Sequence, residues 1–102
     1  MSSIHMNYGI IDEISVTSYH YFDRANGTYL LRLLGRKNKE VYELSKGHMT
    51  FGPRSIPNKI KFLNSAEGIT YYENLGVSLQ VRDAVISIIN NIYSDYNKKL
   101  EF

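Results

Sequence analysis

Ser78-Leu79-Gln80-Val81-Arg82-Asp83-Ala84-Val85-Ile86-Ser87-Ile88-Ile89-Asn90-Asn91-Ile92-Tyr93-Ser94-Asp95-Tyr96 is the stretch whose reading decides the fold. Val81, Val85, Ile88, Ile92 and Tyr96 step by 4, 3, 4 and 4, which places them on one stripe of a helix. Ala84, Ile89 and Tyr93 widen the stripe, while Arg82, Asp83, Asn90, Asn91 and Asp95 fall largely outside it. The Ser78 hydroxyl is placed to accept from an orphan N–H of the first turn. Lys98 and Lys99 bring positive charge to the end where the helix dipole is negative. The spacing predicts a helix over about 79–97.

Upstream the period is two. Ile10, Ile14 and Val16 share one parity, interrupted by Asp12, and the run continues through Tyr19-His20-Tyr21-Phe22. That predicts one long strand, straight or bent, from Ile10 to Phe22. Asn26-Gly27 is a hairpin signal, since both residues tolerate positive φ. Residues 28–34 are apolar on both faces, as in a well-covered central strand. Residues 40–44 alternate again, 48–51 add a short strand, and 59–63 and 69–72 alternate as two more. Pro53 and Pro57 mark the intervening segment as a loop. The expectation is an α+β fold over 1–102 as a single domain. An antiparallel meander or curled half-barrel of five to six strands, about 10–73, is capped by one C-terminal amphipathic helix.

Composition closes several routes. The chain has no Cys, so a disulfide scaffold and thiolate metal sites are excluded. No apolar run approaches 18 residues, so no membrane span is expected. The opening Met1-Ser2-Ser3-Ile4-His5 has neither the basic patch nor the apolar block of a secretory signal, which gives a cytoplasmic expectation. His5, His20 and His48 lie 15 and 28 residues apart, without metal-ligand spacing. No nucleophile elbow and no phosphate-binding glycine loop is present. The expectation is a protein that is not an enzyme and uses no metal or cofactor. Enrichment in Ile, Asn, Lys and Tyr matches an AT-rich genome or one of its mobile elements.

Charge is the informative feature. From Arg24 to Lys61 nine basic residues meet two acids, giving +7, whereas the rest of the chain carries −5 and the total is +2. If the strands carrying them are neighbours, Arg32, Arg36, Lys37, Lys39, Lys46, Arg54, Lys59 and Lys61 converge on one basic face. Lys59 and Lys61, two apart on a strand, would share that face. Tyr29, Tyr42 and Phe62 interleave with these cations, and exposed rings beside cations are what an unpaired base stacks on. The leading expectation is a nucleic-acid-binding module for single strands. The alternative is a protein-interaction module: an adaptor, inhibitor or assembly subunit with an acidic partner. It would bind through a sheet edge or through Val85, Ile86, Ile89 and Tyr93 of the helix stripe, a homodimer being one use of that surface.

Ile69-Thr70-Tyr71-Tyr72-Glu73-Asn74, followed by Gly76-Val77-Ser78-Leu79 and the helix, resembles the ending of positive-cofactor-four and Whirly-type proteins. These are sheet-plus-helix dimers that bind single-stranded DNA. The same strand-then-helix ending resembles pleckstrin-homology-like domains, where a C-terminal helix plugs a bent antiparallel barrel. Both resemblances cover about residues 69–93 and assign no residue a role.

Overall fold

The computed structural model describes residues 4–100, with side chains through Lys98. Met1-Ser2-Ser3, the Lys99 side chain expected at the helix terminus, and Glu101-Phe102 lie outside the described residues. The fold is α+β, an antiparallel sheet followed by three helices. The strands are β1 (Ile4–Ile11), β2 (Ile14–Asp23), β3 (Thr28–Lys37), β4 (Glu40–Glu43) and β5 (Met49–Thr50). The helices are α1 (Ser55–Asn64), α2 (Ala66–Leu75) and α3 (Leu79–Leu100). Strand order is β1-β2-β3-β4, and β5 follows β4 along the same edge of β3.

The long strand expected from Ile10 to Phe22 is instead the second half of a hairpin. Asp12 and Glu13 take φ of 45° and 70°, forming a two-residue turn that pairs Ile11 with Ile14. Asp12, which broke the alternation, is therefore the turn itself. β1 starts six residues before the expected strand. Its register slips between Asn7 and Ile10, a bulge in which Gly9 has φ 85° and the Asn7 Oδ1 accepts from the Gly9 N–H at 2.8 Å.

The strands expected at 59–63 and 69–72 are helices. Ile56, Ile60 and Leu63 step by 4 and 3, and Ile56 and Leu63 are fully buried. Gly68, Tyr72 and Leu75 repeat that spacing in α2. Pro57 lies in the first turn of α1, where a missing N–H costs nothing because that donor has no intrahelical acceptor. One serine serves both helices: the Ser65 N–H donates to the Phe62 carbonyl at 3.0 Å, and its hydroxyl accepts from the Gly68 N–H at 3.3 Å. Gly76 (φ 74°) ends α2, with Val77 N–H reaching the Tyr72 carbonyl at 3.2 Å. Ser78 caps α3 as its hydroxyl accepts from Val81 N–H at 3.4 Å. With residues 69–74 helical, the strand-then-helix ending is absent, and neither family resemblance holds over this segment.

The three helices cover one face of the sheet. Ile14 and Val16 of β2, Leu31 and Leu33 of β3, Leu44 and Met49 meet Ile56, Leu63, Tyr72, Val81, Val85 and Ile89 in one core. Tyr72 is fully buried and its hydroxyl donates to the Leu44 carbonyl. Burial accordingly pushes its pKa far up. Val85 and Ile89, expected as an interface, are fully buried in this core, and Ile86 and Tyr93 pack against it. α1 and α2 supply the cover that a single helix on a sheet would have lacked. Among the described residues, no helix is long and apolar enough to cross a membrane.

Candidate nucleic-acid interface

Alternation sends every second strand residue to the face away from the helices. On β2 these are Ser15, Thr17, Tyr19 and Tyr21; on β3 they are Leu30, Arg32, Leu34 and Arg36. None of the eight belongs to the helix-covered core. The register sets Tyr19 opposite Arg32, and Ser15 opposite Arg36. It places His5 of β1 beside Tyr19, and Glu43 of β4 beside Leu34.

These side chains form a connected row. The His5 and Tyr19 rings meet edge to face, with centroids 4.5 Å apart. The Arg36 guanidinium lies 5.7 Å from the centre of the Tyr19 ring. Arg36 is exposed and Tyr19 half-buried, so an aromatic and a cation are presented together. Arg32 is engaged differently. It forms an ion pair with Glu43, and that hydrogen bond, with the Tyr21 hydroxyl beside it, holds its pKa above the ordinary value. The pair is single-pronged, leaving Arg32 Nε and Glu43 Oε1 without protein partners.

The other expected cations scatter. Lys37 is on the helix-covered side, with its ammonium 3.3 Å from Glu13. Lys39 is exposed in the β3–β4 turn. Arg54 is exposed immediately before α1. Lys46 stands in the β4–β5 connection with its ammonium 4.8 Å from the Phe62 ring and 5.7 Å from the Tyr71 ring. Lys59 donates to the Lys46 carbonyl at 2.9 Å, and burial, then repulsion from Lys46, lowers its pKa. Lys61 is exposed and lies about 200° around α1 from Lys59, since each helical residue turns 100°. The shared strand face expected for Lys59 and Lys61 does not exist. The single patch of eight cations is replaced by Arg32 and Arg36 on the open face and by a second group of Lys46, Lys59 and Phe62.

The expected rings also move. Tyr42 is half-buried on the helix side, its hydroxyl donating to Glu40 at 2.6 Å. Phe62 packs partly against the core, under Lys46. Tyr29 is 65% exposed, but sits on the other parity and contacts Phe22. The rings that reach the open face, Tyr19 and Tyr21, were legible as the odd members of the 15–21 alternation, had the turn at Asp12 been recognised. Among the described residues, no group of three or more His, Asp or Glu side chains is placed to hold a metal ion. No family model matches this chain, and neither a curated protein nor a solved structure matches it.

Proposed function

We propose that the protein is a non-enzymatic module that binds single-stranded nucleic acid on the uncovered face of its sheet. The observation that carries this reading is the Arg36 guanidinium set against the Tyr19 ring, with His5 on the ring's other flank. A base stacked on such a platform gains roughly 1–3 kcal/mol. Arg36 takes the adjoining phosphate, and Lys39, three residues on in the turn, takes the next. Arg32, tied to Glu43, fixes the platform rather than the ligand.

Anisotropy of a labelled oligothymidylate at 50 and 200 mM salt tests this. Two to three phosphate contacts on a single strand give a log–log slope of about −1.4 to −2, so affinity falls roughly sevenfold to twentyfold across that step. Tyr19→Ala removes at least one base contact and weakens binding at both concentrations. No binding at the lower salt, or a flat response, refutes the reading.

A second reading rests on β1. It is an end strand of the sheet, it has no charged residue, and Ile4, Met6 and Ile10 are 65%, 48% and 75% exposed. Such an edge invites strand addition by a protein or by a second copy. Light scattering separates the two readings: a complex that resists nuclease and salt, and is lost in Met6→Lys, favours the edge.

A further inference from the structure

On the opposite side of the sheet from Tyr19, a cleft of about 380 Å³ lies between β1, β2 and the C-terminal half of α3. Its size falls in the range of small-molecule sites. We propose that it binds a small organic amine, an apolar body carrying one ammonium group. This does not depend on the nucleic-acid reading, which uses the other face.

The walls define the body of the ligand. Met6, Ile88 and Ile92 line the cleft, so most of what they contact must be apolar. Three rings also line it: His20 and Phe51 have centroids 5.9 Å apart, and Phe51 and Tyr96 have centroids 5.3 Å apart. Ring faces carry negative potential and attract a cation held near them.

The polar groups define the charge. Tyr8 and Ser18 share a hydrogen bond at 2.8 Å, and Ser18 reaches the His20 Nε2 at 3.2 Å. Ser18 is fully buried, so these three groups largely satisfy one another. Burial lowers the His20 pKa and keeps its imidazole neutral at pH 7. Among the described residues Asp95 is then the one formally charged side chain lining the cleft, and Asn91 stands one helical turn from it. A carboxylate beside aromatic walls complements an ammonium and repels an anion.

Three ligands of one shape isolate the charge: phenethylamine, 2-phenylethanol and phenylacetate, each titrated into the protein and followed by heteronuclear NMR and thermal melting. Phenethylamine is expected to shift the resonances of His20, Ile88, Ile92 and Tyr96 saturably and to raise the melting temperature. The alcohol should bind about tenfold more weakly, and phenylacetate weaker still. Asp95 is exposed, so Asp95→Asn keeps the fold and should reduce the amine to the level of the alcohol. Ile92→Trp, which fills the cleft, should abolish the shifts. Tyr19→Ala should leave amine binding untouched, which separates this proposal from the nucleic-acid one. Equal affinity for amine and alcohol, shifts mapping away from the cleft, or an amine preference that survives Asp95→Asn overturns it.

Discussion

Replacing Gly68 with alanine sets two effects of opposite sign against each other. Gly68 lies in the first turn of α2, and alanine there gains about 1 kcal/mol of helix propensity. The added Cβ, however, would stand 2.4 Å from the Phe62 carbonyl oxygen and 2.6 Å from that of Leu63. Both atoms are backbone and cannot rotate aside. They are also in use, since Phe62 O accepts from the Ser65 N–H at 3.0 Å and Leu63 O accepts from Arg82 at 3.4 Å. Relieving the overlap moves α2 off the end of α1 and opens the Ser65 cap. Overpacking of this kind costs about 1–3 kcal/mol, and a lost cap about 1 kcal/mol more. The clash wins, with a net loss of about 1–3 kcal/mol. At roughly 4–8 °C per kcal/mol for a domain of this size, the melting temperature falls by about 5–20 °C. Urea unfolding should show a lower midpoint at unchanged slope. Two controls separate the causes. Gly47→Ala, at φ 86° with nothing within 4 Å of the new Cβ, tests backbone strain alone and should cost about 1 kcal/mol. Thr70→Ala, exposed on α2, tests propensity alone and should be neutral to slightly stabilising. A Gly68→Ala protein as stable as the parent would refute the close α1–α2 contact.

Tyr72→Phe removes a buried donor from the Leu44 carbonyl and should cost about 1–2 kcal/mol in urea unfolding; no change would mean that carbonyl has another donor. Asp12→Asn with Glu13→Gly places the preferred residues in a turn that already needs positive φ at both positions. It should stabilise by about 1 kcal/mol, because the Glu13–Lys37 pair given up is exposed and worth little, and calorimetry measures the balance. Burial lowers the folded-state pKa of His20, so the unfolded chain binds the proton more readily. Stability is therefore whole above pH 6.5 and declines as pH falls from there through the folded value. His20→Gln should flatten melting temperature against pH between 7 and 5.

The helix at 79–100 was legible because its apolar stripe runs for more than four turns, longer than any strand pattern can imitate. The shorter helices were not. In Lys59-Ile60-Lys61-Phe62-Leu63, apolar residues at 60 and 62 read as period two. The deciding partner, Ile56, lies beyond Pro57, and Pro57 reads as a helix breaker unless it is assigned to the first turn. Tyr71-Tyr72 reads as strand for a similar reason, since aromatics favour strands. Only Tyr72 is fully buried, four residues after Gly68, whose small size brings α2 onto α1. Packing between helices thus overrode local preference at both places.

The proposed binding face turns on the same two-residue turn that hid β1. Reading residues 10–22 as one strand puts Ile11 and Ile14 on opposite faces, although they are paired across the hairpin and share one. Once Asp12-Glu13 is the turn, alternation from Ile14 sends Val16, Ser18 and His20 under the helices and Tyr19 and Tyr21 outward. Register with β3 then brings Arg32 and Arg36 to the same side. Charge counted along the chain cannot anticipate this, because neighbouring cations on a strand diverge: Arg36 faces out over Tyr19 while Lys37, one residue on, reaches Glu13 on the other side. The nine central cations were therefore a poor guide to a binding surface, and the more specific signal is a single guanidinium held at a ring that no helix covers. On the proposed single-strand reading, a platform of that size would contact one or two bases, and its affinity would depend on Arg36 and Tyr19 together. Removing either should cost nearly as much as removing both, and a double-mutant cycle on those two residues measures that coupling directly.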